Sequence, residues 1–187
     1  HNVAVGFSSL VSNTASYNTA IGWKALYDNT TGTYNTAIGY LADVSAVNLT
    51  NATAIGANAS VSASNKIRLG DANVTVIQGQ VGYTSSSDRR LKKNIINTKY
   101  GLSTILKTRP VDYQLKSNNL KQIGFIAQEL KSLVPEAVNG IEGDLEKGEA
   151  LGITYTLLIP ILTKAIQEQQ IIINDLLNRV NKLENNK

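Results

Sequence analysis

The chain has 187 residues, and its 18 lysines and arginines against 14 acidic residues give a net charge of +4. It has no cysteine and a single histidine, at position 1, which excludes disulfides, cysteine or multi-histidine metal sites, and Cys-His or Ser-His-Asp catalysis. Nucleophilic chemistry would therefore use serine or threonine activated by lysine, or a carboxylate. No basic stripe with interleaved aromatics and no bilayer-length apolar run occurs, so we expect no cofactor, metal, nucleic-acid partner or membrane insertion.

Composition changes abruptly near residue 87. Residues 1–86 are rich in Asn, Thr, Ser, Ala and Gly and contain three basic and three acidic residues, whereas the remaining charges fall in residues 87–187. The second part has the composition of an ordinary charged globular domain with helices. We predict a fibre shaft or tip over residues 1–86 and a separate domain over residues 87–187.

A repeat runs through the first part. The unit Asn-x-Ala-Ile-Gly, as at 18–22 and 35–39, recurs with small variations and is followed by a shorter final rung, Ile-Arg-Leu-Gly at 67–70. The glycines that end these units are 14 to 17 residues apart. These glycines are Gly6, Gly22, Gly39, Gly56 and Gly70. Each unit predicts a short strand followed by a glycine turn, and stacked units bury apolar surface that one unit leaves exposed. We therefore expect a β-solenoid, with loops such as 27–32 protruding from it.

The apolar strand residues are few for a solenoid made by one chain. We predict that Val5, Ile21, Ile38 and Ile55 point inward, and so small a core favours several chains sharing it. The unit and its spacing resemble the head repeats of trimeric autotransporter adhesins over residues 2–72. This resemblance implies a trimeric, left-handed parallel β-roll.

Aromatic residues recur in the same region and have two interpretations. They are either caps on the solenoid rungs or a surface that binds a cell-surface glycan or another receptor. The residues are Tyr17, Trp23, Tyr27, Tyr34 and Tyr40.

Residues 84–95 read Thr-Ser-Ser-Ser-Asp-Arg-Arg-Leu-Lys-Lys-Asn-Ile. In isolation, the Ser-Asp pair fits the cap of a short helical turn. Further blocks follow in order: Gly-Phe-Ile-Ala-Gln-Glu at 124–129, Val-Pro-Glu at 134–136 and the Tyr-containing start of the last helix at 153–160. Together these blocks resemble the intramolecular chaperone auto-processing domain of phage endosialidase tailspikes, other phage tail fibres and myelin regulatory factor.

The resemblance implies an α+β chaperone domain that trimerises a fibre and then cleaves its own chain. It assigns Ser87 as the nucleophile, Lys92 as the general base and the Ser86–Ser87 bond as the cleavage site. Lysine has a pKa of about 10.4 in water and must be neutral to accept a proton, so we expect burial at a trimer junction to activate it. Asn94 is a candidate oxyanion donor, and Asp88 a candidate supporting residue.

The last helix carries a heptad pattern. Its apolar residues fall at alternating steps of four and three, which is the spacing of a coiled coil, and Gln169 alone interrupts them. This heptad seam consists of Leu162, Ile166, Gln169, Ile173, Leu176, Val180 and Leu183. We predict a helix over 154–185 in a trimeric bundle. The alternative is a lone amphipathic helix packed on its own domain.

These features together predict the C-terminal region of a homotrimeric extracellular fibre, on a phage virion or a bacterial surface. Its chaperone domain would drive assembly and then cleave the chain as a single-turnover serine endopeptidase. The alternative is a structural adhesin tip that trimerises without cleavage and binds a surface glycan.

Overall fold

The computed structural model describes residues 1–145 and 149–185. The chain divides into two compact units, one formed mainly by residues 1–79 and the other by residues 80–115, 119–141 and 151 onward. The first unit is a β-solenoid of about four turns, and the second is a mixed α/β region that ends in a long helix. The predicted fold class is thereby confirmed, and the domain boundary at residue 87 stays a prediction.

The solenoid is built from short parallel strands. Their bounds are β1 Val3–Val5, β2 Thr19–Ile21, β3 Thr36–Ile38, β4 Asp43–Val44, β5 Thr53–Ile55, β6 Ser60–Val61 and β7 Ile67–Leu69. One sheet has the order β1-β2-β3-β5-β7, and β4 pairs with β6 in a second sheet. Equivalent residues of successive repeats are paired, so Ala37 lies between Ala20 and Ala54. The sequence repeat is therefore the structural rung.

The alanine of each repeat, and not the isoleucine, faces the interior. Ala20 and Ala37 are fully buried, whereas Ile21, Ile38 and Ile55 are each 40% exposed and Val5 is exposed as well. The prediction that these isoleucines and Val5 point inward was wrong. Successive side chains of a strand point to opposite faces, and the narrow interior accepts a methyl group between the rungs. Each chain therefore presents an in-register column of branched apolar side chains on its outer surface.

A column of glycines ends the strands of the larger sheet. Gly22 has a φ of +135°, and a Cβ atom there would collide with the backbone of Gly39 in the next rung. A side chain is excluded at this position by the backbone conformation and by the close approach of the rungs. The strand–glycine order seen in the sequence thus sets the spacing of the solenoid.

Buried asparagines connect the rungs on the inside. Asn18, Asn29 and Asn35 are buried, and both polar atoms of the Asn35 side chain form hydrogen bonds. Its Oδ1 accepts from the backbone N–H of Ala52 at 2.9 Å, and its Nδ2 donates to Leu49 O at 2.6 Å and to Asn29 Oδ1 at 3.1 Å. These bonds satisfy polar groups that water cannot reach.

The loop at 27–32 belongs to this network. Asn29 Nδ2 donates to Asn13 Oδ1 at 2.8 Å and to Gly32 O at 3.0 Å. The loop was expected to protrude, but Asn29 and Gly32 are buried. The expectation was wrong because this part of the loop supplies polar side-chain and backbone partners to the solenoid interior.

Replacing Asn35 by alanine is expected to lower the free energy of unfolding of the solenoid by about 2–4 kcal/mol, because several buried polar groups lose their partners. Fluorescence of Trp23 during urea denaturation measures this, since it is the only tryptophan and stacks on Tyr40 within the solenoid. Asn48→Ala is the control, because Asn48 is an exposed asparagine. Equal midpoints for the two variants would contradict a structural role for Asn35.

The second unit contains two short hairpin-like pairs and three α-helices among the described residues. The helices are α1 Leu102–Ile105, α2 Ala127–Leu133 and α3 Leu158–Glu184, and the strands are β8 Val111–Gln114, β9 Lys121–Gly124, β10 Val138–Asn139 and β11 Gly152–Ile153. Strand β8 pairs antiparallel with β9, and β10 pairs antiparallel with β11. None of the described helices combines the length and the apolar character that crossing a membrane requires.

Helix α3 packs on its own unit through one face only. Leu158, Ile161 and Ala165 are buried, and the first two share a small core with Leu130 and Val134. The heptad seam lies on another part of the helix surface, and its apolar side chains are 42–70% exposed. Packing within the unit therefore does not account for the seam, which stays free in the single chain.

Candidate processing site

The predicted cleavage segment contains one ordered turn. Asp88 is the N-cap of a 3₁₀ turn at Arg89–Leu91, and its carboxylate accepts a hydrogen bond from the backbone N–H of Arg90 at 2.8 Å. The backbone N–H of Lys92 then donates to Arg89 O at 3.1 Å. The helical turn predicted for the Ser-Asp pair is confirmed, and it folds the chain so that residue 92 returns toward residue 87.

Ser87 and Lys92 meet across this turn. Lys92 Nζ donates a hydrogen bond to Ser87 Oγ at 2.6 Å. This separation is within the range in which a base can take a proton from a nucleophile. The Ser86–Ser87 peptide bond is covalently adjacent to the same hydroxyl group. The pair therefore has a geometry suited to the predicted chemistry, and its catalytic role stays a prediction.

Asp88 offsets one of the positive charges near the Ser87–Lys92 pair. Arg90 forms a bidentate ion pair with Asp88, with Nη2 and Oδ2 2.7 Å apart. The hydrogen bond from the Arg90 side chain, followed by that from its backbone, lowers the pKa of Asp88, and the same contact raises the pKa of Arg90. Because Asp88 offsets the charge of Arg90, the remaining nearby cations are Arg89 and Lys93. An ionised Asp88 supports the turn and cannot donate to an oxyanion.

Asn94 follows the turn with a left-handed backbone, at a φ of +53°. Asparagine adopts this conformation more readily than most residues, so the backbone alone gives a reason for its presence. Its assignment as an oxyanion donor stays a prediction.

Water surrounds the whole segment in the single chain. Every residue from 72 to 97 is exposed, and Leu91 and Ile96 are 73% and 87% exposed. A lysine amine becomes a better base when it leaves water, because desolvation disfavours the charged form. The single chain thus has the contact between the two groups but not the dry environment that the chemistry needs.

The aromatic residues of the solenoid form two stacked columns. The rings of Tyr17 and Tyr34 are parallel within 4° with centroids 5.1 Å apart, and those of Trp23 and Tyr40 are within 10° at 5.0 Å. The Lys24 ammonium lies 4.7 Å from the Trp23 ring centroid. Stacking between neighbouring rungs agrees with the capping interpretation, and glycan binding stays a prediction.

Two contacts near the site were not predicted. Lys164 and Glu168 of α3 bind the backbone of Thr98 and Leu102, just after the processing segment, residues 87–97. The partners are 66 residues apart in sequence. No local pattern signals such a pairing, because a lysine and a glutamate four apart on a helix are usual for an exposed surface.

Comparison with known proteins gives one family. Residues 87–139 match the family model described as chaperone of endosialidase, and the family's short name classes it as a peptidase. No curated protein matches the chain. The match starts at Ser87 and includes Lys92, the β8–β9 hairpin and α2. The match and the solenoid that precedes it in sequence fit a C-terminal chaperone domain of this type preceded by a β-roll.

Proposed function

We propose that this chain is the C-terminal region of a homotrimeric tail fibre, assembled by its chaperone domain and then cleaved by it between Ser86 and Ser87. The observation that carries the proposal is the 2.6 Å hydrogen bond between Lys92 and Ser87, the residue at which the family match begins. Ser87 acts as the nucleophile and Lys92 as the general base. Tail fibres of this type are extracellular structures on a phage virion.

Two unpartnered apolar surfaces support assembly. The solenoid presents the outward column Val5, Ile21, Ile38, Ile55 and Leu69, and α3 presents the heptad seam. The column comes from paired strands and is regular along the solenoid axis. Exposed apolar surface of this extent marks an interaction site, and the heptad spacing favours other copies of the same helix. A trimer covers both surfaces with the residues that the chain itself supplies.

The chemistry requires a neutral Lys92 amine. The amine takes the proton from Ser87 Oγ, and the oxygen attacks the carbonyl carbon of Ser86. The carbon–nitrogen bond then breaks, and the lysine returns the proton to the departing α-amine of Ser87. The Ser86 acyl group is now an ester on Ser87 Oγ, which water hydrolyses. The products are a shaft ending in the Ser86 carboxylate and a chaperone beginning with Ser87.

Assembly and cleavage are coupled by burial. The exposed apolar side chains Leu91 and Ile96 flank Lys92 and would be covered by neighbouring copies in the trimer. Covering them removes water from the amine and favours its neutral form. Cleavage therefore follows assembly. Once the chaperone is released, a shaft that unfolds cannot easily reassemble, so the persistence of the trimer depends on slow unfolding.

A structural trimer that does not cleave is the second candidate. It is favoured by the exposure of the Ser87–Lys92 pair and by the Asp88 cap, which gives the motif a local structural purpose. In this candidate the outer surface of the solenoid, with its stacked aromatic columns, binds a surface glycan.

Intact-mass spectrometry with light scattering tests the proposal. Freshly purified protein is expected to be a trimer. On incubation, each 20.1 kDa chain is expected to give two products whose masses add up to the mass of the intact chain plus one water. The product that begins at Ser87 identifies the bond. A stable trimer whose chains all keep their intact mass after prolonged incubation would support the structural candidate, and a stable monomer would contradict both.

A further inference from the structure

A pair of side chains on α3 holds the chain just after the processing segment. Lys164 Nζ donates a hydrogen bond to Thr98 O, and Glu168 Oε2 accepts one from the backbone N–H of Leu102 at 2.7 Å. Lys164 and Glu168 also face each other, with Nζ and Oε1 3.6 Å apart. We call these two side chains, with the backbone groups they bind, the clasp.

The clasp is closely packed around Gly101. A Cβ atom on this residue would collide with the Glu168 carboxylate, so the glycine allows the backbone to approach α3. The atoms nearest to that Cβ position all belong to the end of the Glu168 side chain, so a larger residue at position 101 would have to displace this carboxylate. Gly101 is buried, and the neighbouring Tyr100 is half-buried and donates its hydroxyl hydrogen to Glu136 Oε2 at 2.7 Å.

The contacts of the chain therefore change at residue 98. Residues 72–97 are all exposed, while the backbone at residues 98 and 102 is hydrogen-bonded to α3 by the clasp. Lys92 is only six residues before Thr98, so the clasp is the first fixed point after the Ser87–Lys92 pair. Helix α3 also carries the heptad seam, whose residues Leu162 and Ile166 lie two positions before and two positions after Lys164.

We propose that Lys164 and Glu168 are positioning residues for the Ser87–Lys92 pair. They anchor the C-terminal end of the processing segment, residues 87–97, to the helix whose seam assembles the trimer. Joining of the seams then restrains this segment and holds it where neighbouring copies can cover it. The inference rests on the proposed function, but its structural part, the restraint of residues 87–97, is measurable without cleavage.

Two variants open the clasp from opposite sides. Glu168→Ala removes the acceptor for Leu102 and the partner of Lys164. Gly101→Ala displaces the same carboxylate without altering the sequence of α3. Glu168→Gln keeps an acceptor oxygen for the Leu102 N–H and is the conservative variant. Asp175→Asn is the matched control, because it breaks an i,i+4 ion pair with Arg179 on an exposed part of the same helix.

Hydrogen–deuterium exchange and cleavage rate are measured for each variant, with exchange followed in an uncleavable Ser87→Ala background. Glu168→Ala and Gly101→Ala are expected to speed amide exchange in residues 88–97 and to slow cleavage by about tenfold or more, with the trimer intact. Glu168→Gln is expected to restore most of the rate, and Asp175→Asn to change neither quantity.

Unchanged exchange in both opening variants overturns the clasp, whether or not the wild type cleaves. Loss of the trimer in both variants also overturns it, because the residues would then act in assembly and not in positioning. Faster exchange with slower cleavage and an intact trimer supports the clasp, and faster exchange with the wild-type cleavage rate overturns its positioning role. If the wild type does not cleave while this exchange difference is present, the failure belongs to the proposed peptidase activity alone.

Discussion

Ser87→Ala is expected to leave the chain at its intact mass, because the substitution removes the oxygen that attacks the Ser86 carbonyl. Loss of a nucleophile together with the proton transfer that it needs reduces the rate by about four orders of magnitude or more. The variant should still form the trimer, since Ser87 is exposed in the single chain. Mass spectrometry over days of incubation measures the residual cleavage.

Variants of Lys92 distinguish the role of its amine as a proton acceptor from the role of its positive charge. Lys92→Met keeps the length of the side chain without an amine, and Lys92→Arg keeps a positive charge that does not lose its proton near neutral pH. Both are expected to lose cleavage by about two to four orders of magnitude.

Ser85→Ala and Lys131→Ala are the matched controls for these substitutions. Both residues are exposed, and they lie outside the turn that joins Ser87 to Lys92. Neither change is expected to alter the rate. Cleavage at the same bond in the Ser87→Ala variant, or a normal rate for Lys92→Arg, would show that the assignment of nucleophile and base is wrong.

The solenoid was predictable from sequence because its rungs repeat. The glycine spacing and the Thr-Ala-Ile strands define the period and the alternation of side chains, and both were correct. The face to which each side chain points was not predicted correctly, because both faces of these strands carry apolar side chains. The interior is too narrow for a column of isoleucines, and only the assembled rungs reveal that alanine occupies it.

The candidate site was predictable to the extent that it is local. Ser87 and Lys92 lie five residues apart, and the Asp88 cap brings them together within one turn. Lys164 and Glu168 act on a segment 66 residues away, and that pairing depends on how α1 and α3 pack. The burial that the lysine requires depends on neighbouring copies, which the sequence of one chain indicates only through its heptad seam.

Placing carboxylates in the heptad seam is expected to abolish both assembly and cleavage. In the double variant Leu176→Asp, Val180→Asp, the trimer loses about 1.5–3 kcal/mol of stabilisation for each apolar side chain that is no longer buried. Burying the new carboxylates against one another costs several kcal/mol more. Both positions are exposed in the single chain, so the fold of the unit should survive. Light scattering is expected to give a monomer, and mass spectrometry an intact chain.

The double variant Asn178→Asp, Asn181→Asp adds the same two charges to the same helix away from the seam. It is expected to remain a trimer and to cleave at the wild-type rate, which separates the position of the charges from their number. A seam variant that is monomeric and still cleaves between Ser86 and Ser87 would break the link between assembly and chemistry. Lys92 would then have to become neutral within one chain, although every residue from 72 to 97 is exposed there. If the seam variant instead stays trimeric, the outward column of the solenoid is sufficient for assembly, and α3 packs its exposed apolar side chains in some other way.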